Sequence, residues 1–212
     1  MRTPEITINS EFGSFIINFI KYNTWIKKVL EIGSGSGNGS TLCFTVSLSQ
    51  RKNSSLTCIE AHPEWFADLV ENTSFFPFTK QLNKTTVSFD NLLVKTFDDY
   101  WNDKWNITDP QYSYEFRKTW YEQDLPYFKN TLKGEGAIEN NEQYDAVLID
   151  GSEFSGYSEF ILLKDRTKCF ILDDINCFKC ARAHDELLND NTWELVDQGQ
   201  ERNGWSCFVK VN

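Results

Sequence analysis

The sequence predicts an α/β domain in which a mainly parallel sheet of about seven strands is covered by helices. Three features of the sequence predict this fold class. Short runs that are apolar on both faces, such as 144–150 and 169–174, are typical of buried strands in a parallel sheet. Segments with apolar residues at helical spacing alternate with these runs. Asn203-Gly204 predicts a tight hairpin, so the sheet should end in an antiparallel pair of strands.

The first part of the chain predicts helices and strands in alternation. Ser40 is a suitable helix N-cap, because its hydroxyl can accept a hydrogen bond from a free backbone N–H group. Pro63 suits the first turn of a helix, where the N–H group that proline lacks would have no partner. The predicted elements are a helix over 11–25, a strand over 28–32, a helix over 40–49, a strand over 56–60, a helix that begins at Pro63 and a weaker strand near 86–89.

The region of about 91–141 is rich in aromatic residues and poor in strand-like runs. We expect one domain over 1–212, with this region as a helical insertion or cap between the third and fourth strands. Its Tyr and Trp side chains can form a lid over a substrate, since they combine flat apolar faces with polar tips. They can equally form the insertion's own small core or a subunit interface. The clustered aromatic residues, one of them a phenylalanine, are Tyr100, Trp101, Trp105, Tyr112, Tyr114, Phe116, Trp120, Tyr121 and Tyr127.

The alternation of strands and helices returns after the insertion. Apolar runs on both sides of a short helical segment predict two adjacent parallel strands. The turn at Asn203-Gly204 then joins the last two strands. The predicted elements are a strand over 144–150, a helix near 157–163, a strand over 169–174, a helix near 181–188 and strands over 193–198 and 205–211.

Composition narrows the classes of function. The formal net charge is −10 at pH 7, which disfavours a general binder of nucleic acid or of anionic membrane surfaces. The longest apolar stretch, 15–20, is too short to span a bilayer. The six cysteines show no zinc-ribbon spacing, and no signal peptide is apparent at 1–11. We therefore expect a cytoplasmic protein with reduced thiols and a small-molecule partner, and a homodimer is left open.

A glycine-rich loop follows the first strand and precedes a helix. Glycines at 33, 35, 37 and 39 let the backbone approach a ligand, and the start of the helix adds a favourable dipole. A dinucleotide fingerprint needs G-x-G-x-x-G, and the third glycine falls on Asn38 in one register and on Ser40 in the other. The loop therefore predicts a nucleotide-like cofactor other than a nicotinamide dinucleotide.

The pattern Glu31-x-Gly33-x-Gly35-x-Gly37 resembles motif I of the class I S-adenosylmethionine-dependent methyltransferases. Glu60, at the end of the next strand, stands where that family has the carboxylate that binds the ribose hydroxyls. A carboxylate can accept hydrogen bonds from both hydroxyls of a diol. The resemblance implies a Rossmann-like methyltransferase fold with S-adenosylmethionine as the cofactor. The cofactor-binding residues that it implies are Glu31, Gly33, Ser34, Gly35, Gly37, Ser40, Glu60, Ala61, His62 and Asp150.

Three carboxylates end two strands that we expect to be neighbours. Asp150 ends one apolar run, and Asp173 and Asp174 end the next. Because parallel strands present their carboxyl ends at one edge of the sheet, these side chains should lie side by side. Carboxylate oxygens suit Mg²⁺, which binds a few of them and keeps its other positions for water or substrate. The alternative is that Asp150 and Asp174 are helix N-caps.

The segments Ile149-Asp150-Gly151 and Leu172-Asp173-Asp174 resemble those of one branch of the superfamily. This branch comprises the small divalent-metal-dependent O-methyltransferases related to catechol and antibiotic-sugar O-methyltransferases. The resemblance implies that Asp150, Asp173 and Asp174 bind Mg²⁺ or another divalent metal. It also implies that the acceptor is a small molecule, such as a sugar or a polysaccharide building block.

One departure from this branch concerns proton removal. Members often have aspartate where this chain has Ser152, and serine is a poor base, so the role is either absent or passed to Glu153. We expect Ser152→Asp to be tolerated, since it restores the related pattern. Asp150 and His184 are the other candidate catalytic residues.

The predicted function is Mg²⁺-assisted methyl transfer from S-adenosylmethionine to a hydroxyl group. A metal bound to the acceptor oxygen would lower the pKa of that hydroxyl. One alternative is a non-catalytic module that binds the cofactor or a partner, for which Ser152 leaves room. A nicotinamide oxidoreductase is disfavoured by the register of the glycines.

Overall fold

The computed structural model describes residues 4–106 and 112–211. This part of the chain forms a seven-stranded sheet with the order β3-β2-β1-β4-β5-β7-β6. All neighbours are parallel except at β7, which runs antiparallel to both β5 and β6. The strands are β1 (Lys28–Ile32), β2 (Ser55–Ile59), β3 (Thr79–Leu82), β4 (Ala146–Ile149), β5 (Cys169–Asp173), β6 (Trp193–Gly199) and β7 (Trp205–Lys210).

The register of the central strands sets their carboxyl ends at one edge. Ile32 of β1 pairs with Ile59 of β2 on one side and with Ile149 of β4 on the other. Ile149 in turn pairs with Leu172 of β5. The residues that follow these four strand ends therefore share one edge of the sheet, which is the usual ligand side of such folds.

Helices cover both faces of the sheet. Successive residues of a strand point to opposite faces, so Val29 packs in one core layer and Leu30 in the other. Burial of one such large apolar side chain stabilises the fold by about 1.5–3 kcal/mol. The helices are α1 (Glu11–Tyr22), α2 (Ser40–Leu48), α3 (Pro63–Thr73), α4 (Phe97–Trp101), α5 (Tyr114–Lys129), α6 (Gly156–Leu163) and α7 (Phe178–Leu188). Within the two described ranges, no helix is both long and apolar enough to cross a membrane.

This architecture confirms the predicted fold class, a Rossmann-like and mainly parallel sheet of seven strands that ends in an antiparallel hairpin. The hairpin turn closes with a hydrogen bond from the Gly204 N–H group to the Glu201 carbonyl at 3.0 Å. Gly204 has φ +78°, a left-handed conformation that glycine adopts without strain.

Two local predictions are wrong. The third strand is Thr79–Leu82, not 86–89. It lies at the sheet edge with one partner strand, so it needs no run of apolar residues. Ser40 is the first residue of α2 and not its N-cap, because Gly39 holds the cap position and the Ser40 hydroxyl binds Glu31 instead.

The aromatic segment packs as a separate small core beside the sheet. Tyr100 of α4 is fully buried, with edge-on ring contacts to Phe154 at 4.9 Å and to Phe178 at 4.7 Å. Tyr121 of α5 also meets Phe154, at 5.1 Å. Because Phe154 follows β4 and Phe178 begins α7, this core sits next to the carboxyl edge of the sheet. Of the three predicted roles for the aromatic residues, the structure shows a core for Tyr100 and Tyr121, and the lid and the subunit interface stay predictions.

Candidate active site

Glu31 organises the glycine loop from within. The side chain is fully buried near the end of β1, and its carboxylate accepts hydrogen bonds from three hydroxyl groups. Burial raises the pKa of Glu31, while these hydrogen bonds lower it. Glu31 therefore holds the loop and the start of α2 together. The donors are Ser34 at 2.9 Å, Ser40 at 2.6 Å and Thr41 at 2.7 Å.

The three alternating glycines have different neighbours. All three have positive φ angles: 83° at Gly33, 54° at Gly35 and 81° at Gly37. A Cβ atom on Gly33 would lie 2.0 Å from the Asp150 carbonyl oxygen, and one on Gly37 would lie 3.0 Å from a Leu69 methyl. A Cβ atom on Gly35 would meet nothing within 4 Å. Gly35 is therefore the glycine whose backbone faces open space, as a backbone that contacts a ligand requires.

Glu60 connects this loop to the tip of β2. Its Oε2 accepts the backbone N–H of Gly35 at 2.8 Å, and its Oε1 accepts that of His62 at 2.7 Å. Burial raises the pKa of Glu60, against the lowering effect of these N–H groups. Asn83 donates to the Glu60 carbonyl at 2.8 Å and to the Ala61 carbonyl at 3.2 Å, which steadies the turn after β2.

His62 lies beside Glu60 between aromatic rings. Its ring centroid is 5.1 Å from that of Trp65 and 6.5 Å from that of Tyr127. The Nδ1 atom is buried and has no hydrogen-bond partner within the described residues. The Glu60 carboxylate, the Gly35 backbone and the His62 Nδ1 atom thus lie close together. These groups suit the ribose and the base of an adenosine group.

The three predicted carboxylates do come together. One oxygen from each of Asp150, Asp173 and Asp174 lies within 4.8 Å of the other two. They are not helix N-caps, because Ser155 caps α6 and Cys177 caps α7.

A lysine ammonium lies among these carboxylates. Lys179 Nζ is 2.9 Å from Asp150 Oδ1, 2.6 Å from Asp174 Oδ2 and 4.0 Å from Asp173 Oδ2. Arg202 adds a second cation, 3.2 Å from Asp173 Oδ2 and 3.6 Å from Asp174 Oδ1. The cluster is therefore a network of three carboxylates and two cations, and its residues as arranged do not fit a divalent metal.

Burial and charge set the protonation of this network. Burial, followed by the nearby Asp150 carboxylate, raises the pKa of Asp173. Burial would also raise the pKa of Asp174, but Lys179, Arg202 and an Asn203 hydrogen bond hold it below its ordinary value. Burial works against a charged Lys179, yet the three carboxylates raise the pKa of its ammonium. Lys179 is therefore a cation at neutral pH.

Glu153 lies between this network and the aromatic core. Its Oε1 is 3.6 Å from an Arg117 nitrogen, and Arg117 donates a hydrogen bond to the Tyr100 hydroxyl. Burial raises the pKa of Glu153 to about 7, against the lowering effect of Lys179. A carboxyl group that titrates near neutral pH suits a general base.

Helix α5 passes over the carboxyl edge. Arg117 faces Glu153, Asp124 accepts a hydrogen bond from the Ser152 hydroxyl, and Tyr127 faces His62. One helix thus reaches both the predicted cofactor residues and the loop after β4. Asp124, Arg117, Lys179 and Arg202 escaped the sequence analysis, because only the folded chain brings them to this edge.

His184 lies apart from these groups. It is on α7, where its Nδ1 is 3.0 Å from the Ser206 hydroxyl and its ring meets Phe208 of β7. Burial lowers the pKa of His184. These contacts give it a packing role beneath α7, and the structure does not bring it to Glu153 or Asp150.

Solved structures of methyltransferases share this fold. One is an O-methyltransferase from Streptomyces achromogenes that is involved in tomaymycin synthesis and was solved in complex with S-adenosylmethionine. Its sequence is 10% identical, the TM-score is 0.60, and the match covers 99% of this chain and 83% of that one. A Bacillus cereus O-methyltransferase in complex with S-adenosylhomocysteine is 12% identical with a TM-score of 0.56, covering 99% and 84%.

A methyltransferase from Podospora anserina with bound S-adenosylhomocysteine is 13% identical with a TM-score of 0.56, covering 94% of this chain and 78% of that one. No protein-family model and no curated protein matches the sequence. At these identities the likeness establishes the fold and not the activity.

Proposed function

We propose that this protein is an S-adenosylmethionine-dependent methyltransferase that acts on a hydroxyl group of a small molecule. The observation that carries the proposal is the link between Glu60 and Gly35, which places a buried carboxylate beside an open glycine at the carboxyl edge of the sheet. The fold and the bound cofactors of the structural neighbours support it.

The chain's own residues would bind and orient the cofactor. The Glu60 carboxylate would accept hydrogen bonds from the ribose hydroxyls, and His62 and Tyr127 would border the base. Glu31 would act indirectly, because its hydrogen bonds to Ser34, Ser40 and Thr41 hold the loop in shape. S-adenosylmethionine, when bound, supplies an electrophilic methyl group on a sulfonium.

Glu153 is the proposed general base. Its carboxylate would take the proton of the acceptor hydroxyl at Oε1 or Oε2, and the pKa near 7 balances proton affinity against the deprotonated fraction. Helix α5 covers the edge and would keep bulk water away from the acceptor. Positioning of the acceptor oxygen in line with the methyl group would supply much of the remaining rate enhancement.

No step of this mechanism runs through Mg²⁺. The sequence resemblance implies a metal at Asp150, Asp173 and Asp174, but those carboxylates are paired with Lys179 and Arg202. Three further points stay predictions from the sequence. They are a sugar-like acceptor, a small-molecule partner in place of nucleic acid or membrane, and a homodimer.

The proposal can be tested by following methyl transfer from S-adenosylmethionine to a panel of sugars, catechols and other small hydroxyl compounds. The proposal expects transfer to at least one class, at a rate that Gly35→Val abolishes. If the protein binds S-adenosylmethionine but transfers its methyl group to no compound of the panel and does not hydrolyse it slowly, a non-catalytic cofactor-binding module is favoured instead.

A further inference from the structure

The acidic cluster at the ends of β4 and β5 contains its own cation. Lys179 Nζ touches Asp150 at 2.9 Å and Asp174 at 2.6 Å, and its side chain is 9% exposed. We propose that Lys179 stands in for the divalent cation, so that this chain binds no metal at Asp150, Asp173 and Asp174. The catalytic role of Lys179 rests on the proposed function, whereas its ion pairs and the absence of a metal do not.

Space alone argues against a metal at this position. Mg²⁺ needs oxygens at about 2.0–2.1 Å in near-octahedral geometry. Lys179 Nζ lies within hydrogen-bond distance of two of the three carboxylates, so it occupies the volume between them. A metal would first have to displace the ammonium group.

Charge argues in the same direction. The three carboxylates already face two cations, Lys179 and Arg202. A divalent metal added between them would meet both cations at short range, where like charges repel strongly in a partly buried site. Removal of the lysine would leave buried carboxylates short of a counter-charge, which is the usual condition for metal binding.

The position of Lys179 on its helix indicates that the three carboxylates stabilise its charge. Lys179 is in the first turn of α7, where the helix dipole disfavours a positive charge. The carboxylates offset that unfavourable position.

Close packing of two helices fixes the backbone of Lys179. A Cβ atom on Gly156, the first residue of α6, would lie 2.2 Å from the Lys179 carbonyl oxygen and 3.1 Å from its Cγ. Only glycine allows the two helices to approach this closely. The stem of Lys179 is therefore held at its base, which keeps the ammonium group at the cluster.

The ammonium can also serve the reaction. It has three N–H donors, of which Asp150 and Asp174 engage two. The third can donate to an acceptor oxygen as negative charge develops on it. Lys179 would thus supply, with a single charge, part of what a metal supplies elsewhere.

Mn²⁺ binding tests the inference without any methyl acceptor. Electron paramagnetic resonance distinguishes free from bound Mn²⁺, and we expect the wild-type protein to leave the free signal unchanged at about 1 mM metal. Binding of one Mn²⁺ per wild-type chain, weakened tenfold or more by Asp173→Asn, would overturn the proposal. This measurement does not depend on whether Lys179→Met folds.

Lys179→Met is the informative variant, because methionine keeps an unbranched apolar stem and removes the charge. We expect it to bind one Mn²⁺, to show a thermal midpoint that rises with Mn²⁺, and to lose both properties when Asp173→Asn is added. A folded Lys179→Met protein that binds no Mn²⁺ would also contradict the proposal.

Binding of S-adenosylhomocysteine to the same proteins separates this inference from the proposed function. Of the residues proposed to bind the cofactor, Glu60 and His62 follow β2 and Tyr127 is on α5, whereas Lys179 is on α7, so Lys179→Met should change cofactor affinity less than threefold. If the wild-type protein does not bind S-adenosylhomocysteine, the proposed function is refuted. The Mn²⁺ measurements would still test the inference about Lys179.

Discussion

The Glu60 carboxylate accepts a hydrogen bond from the backbone N–H of Gly35 at 2.8 Å, which ties the tip of β2 to the glycine loop after β1. The same carboxylate accepts the His62 N–H at 2.7 Å. Glu60 thus arranges the loop with the oxygens that are proposed to bind the cofactor ribose. One side chain therefore serves both the structure of the loop and the proposed binding of the cofactor.

Glu60→Gln should weaken binding of S-adenosylhomocysteine by tenfold to a hundredfold. The ribose loses a charged acceptor worth roughly 1.5–3 kcal/mol, which accounts for the weaker binding. The amide nitrogen also leaves one backbone N–H without a partner, but this loss affects the free and the bound protein alike. Titration calorimetry measures the change. Glu64→Gln, an exposed change in the first turn of α3, is the control and should leave affinity unaltered.

Gly35→Val should abolish cofactor binding while the protein still folds. The residue has φ +54° and faces open space, so the valine would be strained by about 1–2 kcal/mol and would project into the proposed cofactor cleft. Gly134→Val is a matched control, since Gly134 has φ +83° and also has nothing within 4 Å of a Cβ position. Both variants should lose similar stability, and unchanged cofactor affinity in Gly35→Val would refute the assignment of the loop.

Most of the fold could be predicted because apolar runs indicate buried strands and turn residues indicate where the chain reverses. Strands β1, β4 and β5 are buried along nearly their whole length, and each appears in the sequence as an apolar run. Strand β3 lacks that signal because it lies at an edge. Val87, which suggested a strand near 86–89, is instead buried in a loop where Thr85 and Thr86 bind the backbone of 137–138.

Ser152→Asp should destabilise the protein near neutral pH, contrary to the expectation from sequence. The Ser152 hydroxyl donates to Asp124, whose pKa is raised by burial. An aspartate at 152 would place two carboxylates in contact, at a cost of about 1–3 kcal/mol. Denaturant unfolding measures this cost, and adding Asp124→Asn should recover most of it, because the amide can donate to the new carboxylate. A single variant as stable as wild type would show that the Asp124 contact is unimportant.

Glu153→Gln should become more stable than the wild type as the pH rises. Burial raises the pKa of Glu153 from 4.5 to about 7, so the folded protein keeps a proton there that the unfolded chain releases. The wild type therefore loses stability between about pH 4.5 and pH 7, whereas glutamine resembles the protonated form at every pH. The difference in unfolding free energy should be near zero at about pH 4 and at most about 3 kcal/mol at pH 8.

Denaturant unfolding at several pH values checks this expectation. Glu135→Gln, on the exposed loop before Gly136, controls for effects common to any such substitution. A constant difference between Glu153→Gln and wild type from pH 4 to 8 would mean that Glu153 titrates normally and is unsuited to the role of base. Given an acceptor, Glu153→Gln should also lower turnover about a hundredfold with little change in cofactor affinity.

The site was less predictable than the fold. The meeting of Asp150, Asp173 and Asp174 follows from strand order, which apolar runs reveal. Their pairing with Lys179 does not, because a lysine in a helix is ordinarily solvated and its burial depends on how α7 packs against α6. The sequence predicts this helix only from about 181, so it did not place Lys179 in the first turn, where the structure has it.

Titration calorimetry of the wild-type protein with S-adenosylhomocysteine and, separately, with NAD⁺ tests whether the glycine loop and Glu60 bind the proposed cofactor. We expect one site for S-adenosylhomocysteine with a dissociation constant in the range of about 1–100 µM, no detectable heat with NAD⁺, and loss of the first signal in Gly35→Val. A wild-type protein that binds NAD⁺, or that shows no binding of S-adenosylhomocysteine at about 1 mM, would contradict this expectation.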